Sequence, residues 1–248
     1  MGSSRLMIGG EPHQIAELEF YLQSCHHPDP FTHCDPMQQE FGRWYFHRSG
    51  GTYRNGSFKG FDLTFGSPDA FGGIMIRSLT TPDGQLINGP SLCVDHLLRR
   101  TSTNHVAELD QAVGGRPVWD SASPIHLSVD EEPTPVKLFA TARVGLSLKR
   151  NVDEQAKQFV LKRYRFLSEP RRIAKGRVYL VLALNAQGVA EDEICQLTGS
   201  PKRSVGRWVE QFESGRAADF SEFIGANLDS LALCRLHGAV ETWLSEPG

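Results

Sequence analysis

The sequence has no apolar run that approaches the roughly 18 residues of a membrane-spanning helix. Residues 1–8 also lack the apolar segment and small-residue cleavage site of a secretory signal. We therefore expect an intracellular protein, in the cytoplasm of a prokaryote or the nucleus of a eukaryote. The five cysteines are odd in number and follow no framework spacing, which fits a reducing compartment and disfavours a disulfide scaffold.

An excess of positive charge is also missing, because the formal net charge is −3. The charge is unevenly distributed, however: residues 149–177 hold ten lysines and arginines against three acids, a local net charge of +7. Such a block can focus a polyanion onto one face, and it can equally be the solvated face of a helix. The composition, 40% hydrophobic and 22% charged over 248 residues, is that of one large globular domain or one domain with a small appendage.

The most informative stretch is residues 14–22, in which apolar and polar side chains alternate. Alternation of this length predicts a β-strand that carries Glu17, Glu19 and Tyr21 on one face, with a slip of one residue at Ala16. The apolar residues of the run lie roughly opposite: Ile15, Leu18, Phe20 and Leu22. Taken alone, the run also fits a half-exposed strand with a solvated acidic face.

A loop dense in metal-ligand types follows at residues 25–36. Its candidate ligands are Cys25, His26, His33 and Cys34. Their spacing matches no common zinc pattern, and three prolines stiffen the loop. We therefore predict no metal here.

The next 45 residues or so predict further strands. Residues 42–47 and 58–65 read as two strands joined by a glycine-rich turn at 49–56, which places Tyr53 near the tip of a hairpin. Residues 72–79 form an apolar run that contains one arginine, Arg77. An arginine in such a run needs a partner, often an acid or a phosphate.

Beyond residue 80 the pattern is mixed. Residues 92–98 have helical spacing with Pro90 or Ser91 near the start, and residues 101–115 carry no clear signal. Strands are predicted at 117–119, 125–127 and 136–144. The fold class is therefore predicted as α+β, with a single core built on a curved, largely antiparallel sheet and an all-helical module at the C-terminus.

The helical module is predicted to begin at residue 173, which divides the chain into domains 1–172 and 173–248. Helices are predicted over residues 174–186, 190–197, 202–212 and, with breaks, 220–244. Residues 193–209 have the spacing of a helix-turn-helix: a small residue at Cys195, a turn glycine at Gly199, and Val205 and Trp208 to pack the second helix on the first.

In that geometry Lys202, Arg203, Ser204 and Arg207 lie on or near the exposed face of the second helix. That face supplies groove or phosphate contacts in DNA-binding proteins. The same three-helix unit also serves as a packing element or a protein-binding module, so a protein partner through these helices stays open.

Several motifs occur in the order found in the alkyladenine DNA glycosylases, also called 3-methyladenine DNA glycosylases. The chain resembles this family over about residues 14–175, through six short motifs. They are ELEFYL at 17–22, DPFTH at 29–33, GIMIRSL at 73–79, GPS at 89–91, ATARVG at 140–145 and RYRF at 163–166.

The resemblance implies an enzyme that flips a damaged purine out of double-stranded DNA and hydrolyses its N-glycosidic bond, without a cofactor or metal. Glu19 matches the general base, and Arg77 matches the arginine that positions this carboxylate and its water. Tyr21 and His33 match the walls that stack on the flipped base, and Tyr53 the wedge that fills the gap in the duplex.

The sequence departs from the family at two base-binding positions, and the resemblance covers neither the first 13 residues nor the residues after about 175. His47 stands where a stacking tyrosine is usual, and Asp62 where an asparagine is usual. An ionised aspartate only accepts hydrogen bonds, so the substrate range is open. A glycosylase fold that binds nucleic acid without hydrolysis, using the C-terminal helices for DNA or a partner, is the alternative. A third possibility is cleavage of a free nucleoside or an RNA purine.

Overall fold

The computed structural model describes residues 1–129, 135–149 and 154–245. The fold is mixed α+β, with a curled antiparallel sheet and C-terminal helices, as predicted. Two compact units divide the chain: one comprises Met1–Leu138 with Phe166–Ser168, the other Phe139–Arg165 with Glu169–Gly248. This division differs from the predicted boundary at residue 172, because residues 139–165 belong to the same unit as the helices.

The first unit contains strands β1 Ser4–Ile8, β2 Glu11–Ser24, β3 His27–Pro28, β4 Phe41–Phe46, β5 Arg48–Ser49, β6 Thr52–Tyr53, β7 Phe61–Phe65, β8 Ala70–Thr80, β9 Leu86–Asn88 and β10 Ile125–Val129. The order of the main sheet is β10-β1-β2-β8-β7-β4, with β3 beside β2 and β9 beside β8, and each of these pairs is antiparallel. The helices are α1 Pro90–Arg100 and α2 Val106–Val113.

The core of this unit lies between the sheet and the two helices. Trp44, Phe46 and Phe61 line one face of β4 and β7. The rest of the cluster includes Leu6, Ile8 and Leu79 from the sheet, Cys93, Val94 and Leu97 from α1, and Val106, Leu109 and Val113 from α2. Because side chains alternate along a strand, the residues between Trp44 and Phe46 and after Phe61 point to the opposite face, away from this core.

Strand β2 contains the slip that the sequence predicts. Its pairing with β8 shifts register between Ile15 and Glu17, so that Ala16 is an extra, fully buried residue in the strand. Such a bulge changes which face the following residues occupy. Glu17 and Glu19 are both 0% exposed, so the interpretation of a solvated acidic face is wrong.

The hairpin after β4 is shorter than predicted. Strands β5 and β6 join through Gly50 and Gly51, so Tyr53 lies beyond the tip. Residues Gly56–Phe58 form a 3-10 turn, and the returning strand therefore begins only at Phe61 rather than at residue 58.

Two other expectations need correction, and one unassigned stretch can now be assigned. Residues 117–119 form a turn, since Pro117 has no N–H for a ladder, although Val118 still exchanges backbone hydrogen bonds with Gly42 and Leu127. Only Phe139–Thr141 (β11) of the predicted strand 136–144 is extended in a sheet. The unassigned stretch contains α2, which ends at Gly114 in the left-handed conformation.

The helices of the second unit are α3 Glu154–Phe159, α4 Arg177–Asn185, α5 Glu191–Thr198, α6 Lys202–Gly215 and α7 Ser230–Ser245. Helices α4 to α7 lie where helices are predicted, and α3 lies in a stretch for which none is predicted. The remaining strand, β12 Arg165–Leu167, has Arg165 in the second unit and its other two residues in the first. Helices α5 and α6 are joined at Gly199, which has φ of +66° and whose N–H donates to Cys195 O, while Val205 is fully buried. A side chain at position 199 would be strained in that conformation. That α5 and α6 form a helix-turn-helix stays a prediction.

The basic block is not one uniform surface. Arg165 is buried, and its guanidinium donates to Thr141 Oγ1 at 3.3 Å, Gly176 O at 3.1 Å and Lys175 O at 2.9 Å. Arg150 and Asp153 of this block lie outside the described residues. Within the described ranges, no helix combines the length and apolarity needed to cross a membrane.

Two histidines of the first unit form a buried pair. His13 and His96 lie with their Nε2 atoms 2.8 Å apart, and His13 Nδ1 lies 2.9 Å from Glu11 O, to which it donates. Burial, followed by the proximity of His13, lowers the pKa of His96 to about 4, and burial also lowers the pKa of His13. Both rings are therefore neutral at pH 7.

This pair predicts a pH-dependent stability. A histidine whose pKa falls on folding binds fewer protons folded than unfolded, so stability is full above about pH 6.5 and declines towards pH 4. The slope is up to about 1.4 kcal/mol per pH unit for each histidine. Urea denaturation between pH 7 and pH 4.5 measures it. His96→Gln should flatten the slope, and the exposed His105→Gln should not; equal slopes in wild type and His96→Gln would contradict this account.

Candidate active site

A row of side chains crosses four neighbouring strands on the face opposite the core. Tyr45 of β4 pairs with Asp62 of β7, Asp62 with Met75 of β8, and Met75 with Glu19 of β2. Directly paired residues project to the same side of a sheet. All four are at most 7% exposed, so two carboxyl groups and a phenol lie in one buried row.

At one end of the row lies the carboxylate cluster, made of Glu17, Glu19, Arg77 and Tyr21. Arg77 Nε donates to Glu17 Oε1 at 3.1 Å and Nη1 donates to Glu19 Oε2 at 3.2 Å. Tyr21 OH donates to Glu19 Oε2 at 2.7 Å, and Ser78 Oγ to Glu17 Oε2 at 2.5 Å. Buried charges persist only when paired and hydrogen-bonded, which this network achieves.

The guanidinium holds the two carboxylates in place as a permanent cation. Burial alone lowers the pKa of Arg77, but the charges of Glu19 and Glu17 outweigh that effect and raise it above its ordinary value. Arg77 therefore bridges two carboxylates as a fixed positive charge. Arg77 and Tyr21 together hold Glu19 in a defined orientation.

Further along the row lies the histidine cluster, made of His33, Tyr45, His47 and Asp62. His47 Nε2 lies 2.6 Å from Asp62 Oδ1, and Gln38 Nε2 donates to Asp62 Oδ2 at 3.2 Å. Both carboxylate oxygens of Asp62 are thus engaged by protein side chains. A Cβ at Gly73 would lie 2.6 Å from Asp62 Oδ2, so the carboxylate packs directly on the strand backbone.

In the histidine cluster the ring of His33 packs edge to face against the rings of Tyr45 and His47. His33 and His47 have centroids 4.5 Å apart at 77°, and Tyr45 OH lies 3.5 Å from His33 Nδ1. Although His33 is exposed as a residue, desolvation of its ring and then the neighbouring His47 lower its pKa to about 4. Burial raises the pKa of Tyr45 to about 12. At pH 7 the cluster thus offers a neutral imidazole and a phenol that can donate a hydrogen bond.

The structure brings most of the predicted site residues together and leaves others apart. Glu19, Arg77 and Tyr21 share one cluster, and His33, His47 and Asp62 share the other. Tyr53 is half-buried and packs against the core; its hydroxyl accepts from Arg48 Nη2 at 2.8 Å and donates to Asp110. Its role as a DNA wedge stays a prediction.

Three members of the site have no assigned role in the sequence analysis. Glu17 shares the alternating face of β2, which is a signal that places it beside Glu19. Tyr45 lies on β4, two residues before His47. Its alternation with Trp44 and Phe46, which face the core, is a signal that it faces the site. Gln38 comes from the 3-10 turn Pro36–Gln39, which only the folded loop brings onto Asp62.

The candidate DNA-binding residues all lie on α6 in the second unit. Lys202, Arg203 and Arg207 are exposed, and Ser204 is half-buried. Lys202 Nζ lies 2.8 Å from Asp192 Oδ1, a pair in which both side chains are mostly exposed and which therefore contributes little stability. The three cations are accessible to a ligand.

The proline-rich loop does not assemble a metal site. Across the ranges that the structure describes, no three or more His, Cys, Asp or Glu side chains form a group that could hold a metal ion. Cys25 and Cys34 are both exposed and free of disulfides. Cys34 has φ of +53°, in the left-handed region, directly after His33.

Comparison with known proteins gives one relative and no family description. No protein-family model matches the chain. "Uncharacterized protein L759" of Acanthamoeba polyphaga mimivirus is 31% identical over 161 residues, which cover 58% of this chain and 73% of the mimivirus protein. The similarity therefore spans most of the relative.

Proposed function

This chain belongs to the same family as the mimivirus protein L759, and from the carboxylate and histidine clusters of its first unit we propose that it is a DNA base-excision enzyme. It flips an alkylated or deaminated purine out of double-stranded DNA and hydrolyses the N-glycosidic bond, with no metal or organic cofactor. It acts inside the cell, in the compartment that holds the DNA.

One observation carries the proposal: a fully buried carboxylate, Glu19, is held by both Arg77 and Tyr21 on a sheet face that also carries aromatic rings. A buried ion pair requires such hydrogen bonds in any case, so what favours a catalytic role is that ring-bearing side chains share the sheet face with Glu19. Buried, preorganised carboxylates of this kind serve as general bases.

The chemistry follows from that geometry. As the bond from C1′ to the purine nitrogen breaks, its electron pair leaves with the base and positive charge develops on the sugar. Glu19 takes a proton from water, and the resulting hydroxide forms the new bond to C1′. Arg77 keeps Glu19 oriented, and the negative charge of Glu19 stabilises the oxocarbenium-like sugar.

The histidine cluster, together with Tyr21 of the carboxylate cluster, would hold the flipped base. Tyr21, His33 and His47 offer ring faces or edges, and alkylated purines, being electron-poor, stack well on such rings. Asp62 accepts from His47 and Gln38, so its role is to orient these two side chains rather than to contact the base. Selection of the base then falls to the groups that Asp62 orients.

The helices of the second unit would add affinity for the duplex through α6. Replacing Lys202 and Arg203 together by alanine should weaken duplex binding and flatten the dependence of log K on log[salt] by about one unit per lost phosphate contact. Fluorescence anisotropy of a labelled duplex from about 50 to 200 mM salt measures the slope.

The matched control removes two cations elsewhere in the same unit. Arg216 and Arg235 are partly exposed and, like Lys202, each pairs with an acid, so Arg216→Ala with Arg235→Ala changes the net charge equally. This variant should keep the wild-type slope. If both double variants lose the same slope, α6 makes no dedicated contact and the effect is one of net charge.

The function itself is tested by base release from duplexes that contain hypoxanthine, ethenoadenine or a methylated purine, with alkali used to cleave abasic sites. Strand cleavage at the lesion is the expected result. The competing function, nucleic-acid binding without hydrolysis, is favoured by one observation: Asp62 replaces a donor side chain and has both oxygens engaged. Duplex binding without release from any of these substrates would support it.

A further inference from the structure

The second unit contains a cavity that shares no residue with the candidate active site. Its volume is about 340 Å³, and it lies between α4, α7 and the segment that precedes β12. The apolar part of its wall consists of Ala142, Leu161, Leu182, Ala183, Ala186 and Val240. A space of this size is at the lower end of small-molecule sites and accommodates an organic molecule.

One wall of the cavity carries a polar atom without a partner. His237 of α7 is 9% exposed, and its Nε2 is buried with no hydrogen-bond partner among the residues that the structure describes. Its ring packs edge-on against Tyr179, with centroids 5.4 Å apart at 68°. Burial lowers the pKa of His237 to about 3, so the ring is neutral at pH 7 and can offer Nε2 as a donor or an acceptor.

An unmade hydrogen bond in a protein interior opposes folding, and such atoms are rare in native structures. A leucine at position 237 would fill similar space without that cost. The presence of a histidine is therefore explained if a ligand supplies the missing partner.

The remaining polar wall is predominantly basic. Lys162 and Arg163 are exposed cations on the lining, and Glu241 is the one acid that the described part of the lining contains. The Lys162 ammonium lies 4.5 Å from the centre of the Phe159 ring, and cation–π attraction of this kind holds it near the cavity. A negatively charged group at this side of the cavity would meet both cations.

We propose that this cavity is a binding site for a small organic anion, a molecule with an apolar body and a carboxylate or phosphate head. The apolar walls hold the body, His237 Nε2 hydrogen-bonds to a polar atom of the body, and Lys162 and Arg163 bind the head. The site is distinct from the proposed purine site and does not depend on it.

Isothermal titration calorimetry at pH 7.5 tests the site with two anions, 2-naphthoate and adenosine 5′-monophosphate. Their uncharged counterparts, 2-naphthol and adenosine, are titrated alongside. At least one anion should bind with a Kd below about 1 mM, and at least tenfold more tightly than its counterpart. The anion that binds identifies the head group as carboxylate or phosphate.

Variants locate the binding. His237→Leu should raise the Kd of the anion at least tenfold. The melting temperature should stay equal or rise, because an unpartnered polar atom is removed. Lys162→Ala with Arg163→Ala should weaken binding of the anion and leave binding of the uncharged counterpart unchanged. This variant tests the site even if the His237 variant does not fold. Arg216→Ala, outside the cavity, should bind as wild type. Failure of both anions to bind below about 1 mM, or equal binding by wild type and His237→Leu, would overturn the proposal.

Discussion

Glu19→Gln is expected to slow purine release by about 10²–10⁴-fold, the contribution of a positioned general base. Glutamine has the shape of glutamate and can accept from Tyr21 and Arg77, but it does not take a proton from water. Single-turnover release from a lesion duplex, with enzyme in excess, measures the chemical step separately from product dissociation.

Duplex binding by Glu19→Gln should stay within a few-fold of wild type, since the change does not alter the surface. Glu17→Gln is the matched control: it removes the other carboxylate that Arg77 binds, at a residue that we place outside the reaction. Its rate should fall much less. Equal rates for wild type and Glu19→Gln would remove Glu19 from the mechanism.

Arg77→Gln is expected to lower the free energy of unfolding by about 3–5 kcal/mol. Arg77 donates to two carboxylates that are 0% exposed, and its loss leaves both buried charges without their cation. Urea denaturation monitored by tryptophan fluorescence measures the change at pH 7.

The attribution to the ion network requires a second step. In Arg77→Gln combined with Glu17→Gln and Glu19→Gln no charge of the network remains, so a large part of the lost stability should return, a coupling that independent sites do not show. Two results would contradict this account: a loss of unfolding free energy below about 1 kcal/mol in Arg77→Gln, or no recovery of stability in the triple variant. Either result would mean that Arg77 does not stabilise the fold by compensating the two buried carboxylates.

The sequence predicts the elements whose signal is local. The alternation around Glu19 identifies β2, its face and even the bulge at Ala16, because strand geometry repeats every two residues. The turn between α5 and α6 is equally local, since a left-handed glycine at Gly199 and a buried Val205 follow from spacing within one short segment.

Elements and contacts that depend on distant residues are not predictable in this way. α2 lies in a polar stretch whose helix forms because Val106, Leu109 and Val113 pack into a core made by other segments. The boundary between the units also escapes prediction, since residues 139–165 carry strand and helix signals alike. Their assignment to the second unit follows from contacts made far along the chain.

The same distinction applies to the candidate site. The face shared by Glu19 and Tyr21 is visible in the strand pattern, and the need of Arg77 for a partner follows from its apolar surroundings. The engagement of Asp62 by His47 and Gln38 is not visible, because it joins a strand and a 3-10 turn that are separated in sequence.

The measurement that tests the central claim most directly is chromatographic and mass-spectrometric detection of the free purine after incubation with a methylated duplex. Wild type and Glu19→Gln are compared in the same experiment, with duplex binding measured on the same preparations. The account predicts intact free base from the wild type and little or none from the variant, with similar binding. No free base from the wild type, or equal amounts from both proteins, would contradict it.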